Sequence, residues 1–127
     1  MKLSDIEKVI NQKITFKDFR FLIKNEVSVY KTKFAETGRS IDIYCEEDLN
    51  CLIVGNKQMK NLLEGFLNNL INKIELLYLI DALSLSSKVK FENQYLKNEI
   101  ELLSDSDYDE NIDNDVRRVI KNIENLL

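Results

Sequence analysis

Ser40-Ile41-Asp42-Ile43-Tyr44-Cys45 alternates strictly, placing Ile41, Ile43 and Cys45 on one side of an extended chain. Leu52-Ile53-Val54 follows as a second, wholly apolar run closed by Gly55-Asn56. Between them lies Glu46-Glu47-Asp48-Leu49-Asn50, a connector of hairpin length and intensely acidic. Together these pieces predict one β-hairpin over residues ~40–54. A lone hairpin is marginal in water, so it needs helices to pack against.

Both flanks supply them. Upstream, Ser4-Asp5-Ile6-Glu7 reads as a capping box opening a short helix through Ile6, Val9 and Ile10. Thr15-Phe16-Lys17-Asp18 opens a second helix, in which Phe16, Phe19, Ile23, Val27, Tyr30 and Phe34 recur at steps of three and four. The pattern predicts helix from about residue 16 to 33, against a competing strand signal at Val27-Ser28-Val29-Tyr30. Gly38 fits its end.

Downstream, Asn56 is expected to cap the longest helix, running over residues ~57–85. Asn61, Gly65, Asn68, Asn72 and Glu75 line its polar side, opposite Met59, Leu63, Phe66, Leu70 and Ile74. Leu76 to Leu83 is apolar almost all round apart from Asp81, which puts that end at the centre of the core. Lys88-Val89-Lys90-Phe91-Glu92 suits a short strand, and Asn93 a cap for a helix through Tyr95, Leu96, Ile100 and Leu103. Ser104 to Asn111 is loop by composition. A last helix, Asp113 to Leu127, shows Val116, Val119, Ile120, Ile123 and Leu127 on one face. The expectation is one domain, residues 1–127, of α-rich α+β class. It has about five helices, with the hairpin packed on the long central helix.

Composition narrows the chemistry. With no His, neutral-pH acid–base catalysis needs a strongly shifted carboxylate or lysine. With no Trp, the best stacking platform is missing, and with no Pro long helices are favoured. The first five residues carry no secretory signal and no apolar run reaches a membrane span. Two cysteines are too few for a disulfide scaffold. A cytoplasmic protein is expected, with no membrane partner. The net charge of −4 hides an asymmetry. Residues 1–40 hold nine Lys/Arg against five Asp/Glu, and residues 41–127 nine against seventeen. The acidic majority argues against phosphate-backbone binding and favours a basic partner.

Site by site, the specific chemistries fail. An EF-hand register starting at Asp105 places Asp107 and Asp109 correctly, but puts Glu110 where glycine is needed and Val116 where a bidentate carboxylate is needed. Cys45 and Cys51 have no basic partner to activate a thiolate and no second pair to complete a zinc site, so they read as half-buried core thiols. Asp81 reads as a carboxylate at a helix edge or paired with an Arg such as Arg117 or Arg118, with a functional buried carboxylate as the alternative. Gly38, Gly55 and Gly65 are too scattered to cradle a phosphate. No catalytic residue, metal site or cofactor is expected. What stays open is protein docking on the acidic connector Glu46-Glu47-Asp48 and the acidic loop around Asp105, Asp107, Asp109 and Glu110. Tyr44 and Tyr108 are available there as aromatic anchors.

In size, acidity and a hairpin set among helices, the chain resembles the immunity proteins of bacterial polymorphic-toxin and contact-dependent growth inhibition systems. The resemblance is one of type and carries no diagnostic motif, so it transfers no family residue. It implies a cytoplasmic inhibitor that plugs a basic, nuclease-type toxin with carboxylates. Two alternatives stand beside it. One is a small regulatory or assembly subunit that forms a homodimer through the C-terminal helix. The other is a weak nucleic-acid binder using the basic face of the second helix, through Lys17, Arg20, Lys24, Lys31 and Lys33.

Overall fold

The computed structural model describes residues 1–37, 43, 45–107 and 110–126. The first amides of a helix have no partner inside it, so each start depends on a capping group. In helix α1 (Leu3–Ile10) the cap residue is Lys2, whose side chain makes no capping bond. The expected Ser4–Glu7 box is not formed. Asp48 caps this helix instead, accepting from the Ser4 amide at 2.9 Å and from the Ser4 hydroxyl at 2.5 Å. Backbone pairing brings it there: the Glu46 amide donates to Met1 O at 2.7 Å, and the Leu3 amide donates to Glu46 O at 3.0 Å.

Helix α2 (Phe16–Thr37) starts as expected, with Thr15 Oγ1 accepting from the Asp18 amide at 3.1 Å. It continues past residue 33, because Tyr30 and Phe34 prolong the buried stripe begun by Phe19 and Ile23. No strand interrupts it.

The expected hairpin is not found among the described residues. Strand β1 (Leu52–Val54) pairs in parallel with strand β2 (Val89–Phe91), in the register Leu52 with Val89 and Val54 with Phe91. Parallel neighbours need a long crossover, and two helices provide it. Ser40, Ile41, Asp42 and Tyr44, most of the expected first strand, lie outside the described residues. Ile43 and Cys45 are not in a strand, and Glu46 bridges to Lys2. Alternation marks a segment as extended, but it does not name the partner.

The long central helix is likewise two helices, α3 (Asn56–Leu67) and α4 (Lys73–Leu85). Asn68 is the C-cap of α3, and Asn69 adopts the left-handed conformation at φ 61°, which asparagine tolerates better than most residues. Asn72 then opens α4 with a full capping box: its side chain accepts from the Glu75 amide at 2.9 Å, and Glu75 accepts from the Asn72 amide at 2.8 Å. The asparagines that read as one polar stripe are therefore the end, turn and start of two helices.

The cap of α3 is Gly55 rather than Asn56. Glu92, at the end of β2, accepts from the Asn56 amide at 2.7 Å, while Gln58 accepts from the Gly55 amide at 3.0 Å. A Cβ on residue 55 would stand 2.8 Å from both carboxyl and carboxamide oxygens, so glycine is what lets the sheet end approach the helix.

Helix α5 (Gln94–Ser104) starts on the Asn93 side chain, as expected, and helix α6 (Asp113–Leu126) closes the described chain. Arg118 clamps Glu99, and Asn122 donates to Tyr95, so α5 and α6 run antiparallel. The core centres on α4, where every residue from Leu76 to Leu83 is buried. Helix α4 packs on α5 and α2, and α3 packs on α6 and α1. The fold is α-rich α+β with six helices and one parallel strand pair among the described residues. None of these helices is long and apolar enough to cross a membrane.

Candidate protein-docking surfaces

Helices α2 and α4 lie side by side in the same direction, joined near their starts by Arg20 Nε donating to Glu75 Oε2 at 2.7 Å. Further up α4, less than one turn beyond Glu75, Tyr30 packs edge-on against Tyr78, with ring centroids 5.0 Å apart, and its hydroxyl donates to Asp81 at 2.7 Å. Asp81 is only 7% exposed, and Ser104 at the end of α5 donates to its other oxygen at 2.8 Å. The expected partners of Asp81, Arg117 and Arg118, are elsewhere: Arg118 holds Glu99. Asp81 is thus a knot tying α2, α4 and α5, with hydroxyl donors on both carboxylate oxygens.

Both acidic stretches emerge beside this seam. Residues 45–48 run past the Glu26 and Tyr78 part of it: burial first, then the Glu26 carboxylate, pushes the Tyr78 phenol far up. The loop after Ser104 leaves from the Asp81 part and returns to the start of α4, where Lys73 donates to the Glu110 carbonyl. The carboxylates divide into two kinds. Asp48 is engaged by Ser4, which holds it below its ordinary value, and Glu110 folds back to accept from the Asp107 amide at 3.0 Å. Glu46, Glu47, Asp105 and Asp107 are exposed, and their carboxylates have no ion pair or hydrogen bond among the described residues. Tyr44, Tyr108 and Asp109 lie outside the described residues.

The thiols differ from expectation. Cys51 is exposed rather than half-buried. Cys45 is half-buried, and burial, aided by neighbouring carboxylates, pushes its thiol up, away from the reactive thiolate. Among the described residues no three Cys, Asp or Glu side chains converge as metal ligands. The C-terminal helix turns Val116, Val119, Ile120 and Ile123 into the chain's own core, so that stripe is not available to a second copy.

One surface went unread in the sequence. Phe21 is 79% exposed, with Leu22 at 55% and Val29 at 56% beside it on the outer side of α2. The signal was there: Phe19 and Ile23 fix the core side of the helix, and Phe21 and Leu22 fall off it. No protein-family model, curated protein or solved structure matches the chain.

Proposed function

We propose that this chain is a non-catalytic protein-binding module, an immunity protein that neutralises a basic, nuclease-type toxin. Glu46, Glu47, Asp105 and Asp107 would make the contact. The observation that carries this reading is that these four exposed carboxylates are left uncommitted beside one helix seam, while Asp48, Glu75, Glu92 and Glu99 are used internally. Free carboxylates on an acidic protein raise the encounter rate with a basic partner and disfavour acidic ones.

The test takes as partner a basic, toxin-sized domain encoded directly upstream of this gene, and the absence of such a domain would count against the reading. Reversing Glu46, Glu47, Asp105 and Asp107 to Lys is expected to slow association by about 10- to 100-fold at low salt, and to abolish protection of cells expressing that domain. Full protection by the fourfold variant would refute the reading.

A further inference from the structure

We infer that the free edge of β2 takes an extended, acidic segment of another protein as a further strand. This goes beyond the acidic-loop reading and rests on different residues. The Leu52 amide donates to Lys88 O at 2.9 Å and the Glu92 amide to Val54 O at 3.0 Å, so Lys88, Lys90 and Glu92 turn their backbone groups toward β1. Val89 and Phe91 turn theirs the other way. The Val89 amide reaches Ser86 O at 3.4 Å, while the Val89 carbonyl and the Phe91 amide and carbonyl have no backbone partner among the described residues. A cleft of about 510 Å³ runs along this edge. It touches Val89, Lys90 and Phe91, whose side chains alternate between the two faces of the strand, and no residue of β1. That places it beside the strand rather than over one face.

Lys90 and Lys97 are the charged residues of the lining, both exposed and without an ion pair among the described residues, and no carboxylate shares the cleft with them. The acids nearest in sequence leave them free. Glu92 gives its carboxylate to the Asn56 amide at 2.7 Å, and Glu101, exposed one turn beyond Lys97, lies outside the lining. A strand added here sets alternate side chains on the face of Lys90 and the rest on the face of Val89 and Phe91. Carboxylates at every second position, with β-branched residues between them, match both faces. A second copy paired antiparallel at this edge sets Lys90 against Lys90 or Lys88, and like charges directly opposite are destabilising. The register that sets Lys90 opposite Glu92 leaves Phe91 as the one strand residue facing its copy, and that carboxylate is already spent. Pairing with the outer edge of β1 in a copy does not close and propagates into a filament. Lysine on an edge strand keeps copies apart, and the same charge draws an acidic strand in.

The probe is a fluorescein-labelled nine-residue peptide alternating Glu with Val, titrated with the full chain by anisotropy. Saturable binding with a Kd on the order of 100 μM is expected. It should weaken at least tenfold on Lys90→Glu, and also on raising NaCl from about 50 to 300 mM. A matching peptide with Lys in place of Glu should not bind. Main-chain pairing leaves a signature that charge alone does not. Alternate amides of a strand point to opposite edges, so N-methylation of either the Val amides or the Glu amides, but not of both sets, should abolish binding. In the complex, hydrogen exchange at the Phe91 amide should slow while that at the Lys90 amide, already turned toward β1, stays as it was. Reversal of Glu46, Glu47, Asp105 and Asp107 should not weaken peptide binding, which separates this edge from the acidic loops. Lys90 is exposed, and far-UV circular dichroism checks that the variant is folded. The proposal falls if the acidic peptide does not bind at about 1 mM protein, if the two N-methylated peptides behave alike, or if Lys90→Glu binds as tightly. It also falls if single-stranded RNA takes Lys90 and Lys97 in place of the peptide, or if sedimentation shows a stable assembly of the chain that Lys90→Glu dissolves.

Discussion

Gly65→Ala tests the packing of α2 on α3 by the sign of its effect. An exposed mid-helix glycine replaced by alanine normally gains about 1 kcal/mol from backbone entropy. Here a Cβ on residue 65 would lie 2.4, 2.5 and 3.1 Å from three carbons of the Phe16 ring. Carbon atoms in contact prefer about 3.5–4.0 Å, so the overlap is more than 1 Å and the ring must leave its seat. Overpacking of this kind costs about 1–3 kcal/mol, and displacing a half-buried phenyl group forfeits part of its transfer free energy as well. Against the propensity gain, the net is a destabilisation of about 1–2 kcal/mol. For a chain of this length that lowers Tm by roughly 3–6 °C. Urea unfolding followed by far-UV circular dichroism measures it. The control is a double-mutant cycle with Phe16→Leu: once the ring is gone, Gly65→Ala should become neutral or stabilising. If Gly65→Ala stabilises the protein while Phe16 is intact, the ring does not occupy that seat and the reasoning fails.

Tyr30→Phe keeps the ring contacts with Phe34 and Tyr78 but removes the hydroxyl on Asp81. It should cost about 1–3 kcal/mol in chemical denaturation, and a loss below about 0.5 kcal/mol would deny the knot its role. Asp48 gives a pH signature. Ser4 holds its folded-state carboxyl below the ordinary value of 3.8, so its contribution is present above that value and lost as pH falls through the lower folded one. Amide exchange in the first turn of α1 should rise over that acid window, and Asp48→Asn should flatten the response. An identical profile in the variant would assign the acid sensitivity elsewhere.

Helix content was legible because it is written locally. The three- and four-residue steps from Phe16 to Phe34, the Asn93 cap and the apolar run from Leu76 to Leu83 each carry their own evidence within a turn or two. Pairing was not legible, because Leu52-Ile53-Val54 says only that it is extended and buried at alternate positions. Its partner is 37 residues on, at Val89, and is reached through two helices. The break between α3 and α4 was written in Asn68, Asn69, Asn72 and Glu75 as an N-x-x-E capping box after a turn. The same asparagines also satisfied a helical polar stripe, and period alone does not separate the two.

The same limit bears on the sites, since a carboxylate's availability depends on what reaches it from far along the chain. Two helix starts are held by acids distant in sequence: α1 by Asp48, 44 residues from Ser4, and α3 by Glu92, 36 residues from Asn56. In each the carboxylate faces the positive end of a helix, where it stabilises the fold. Glu75 and Glu99 are spent on Arg20 and Arg118, and Asp81 on two hydroxyl groups. A net charge of −4 is thus a poor guide to what a partner would feel. Much of the acidity is internal wiring, and the connector that read as one acidic tip is part cap and part free surface.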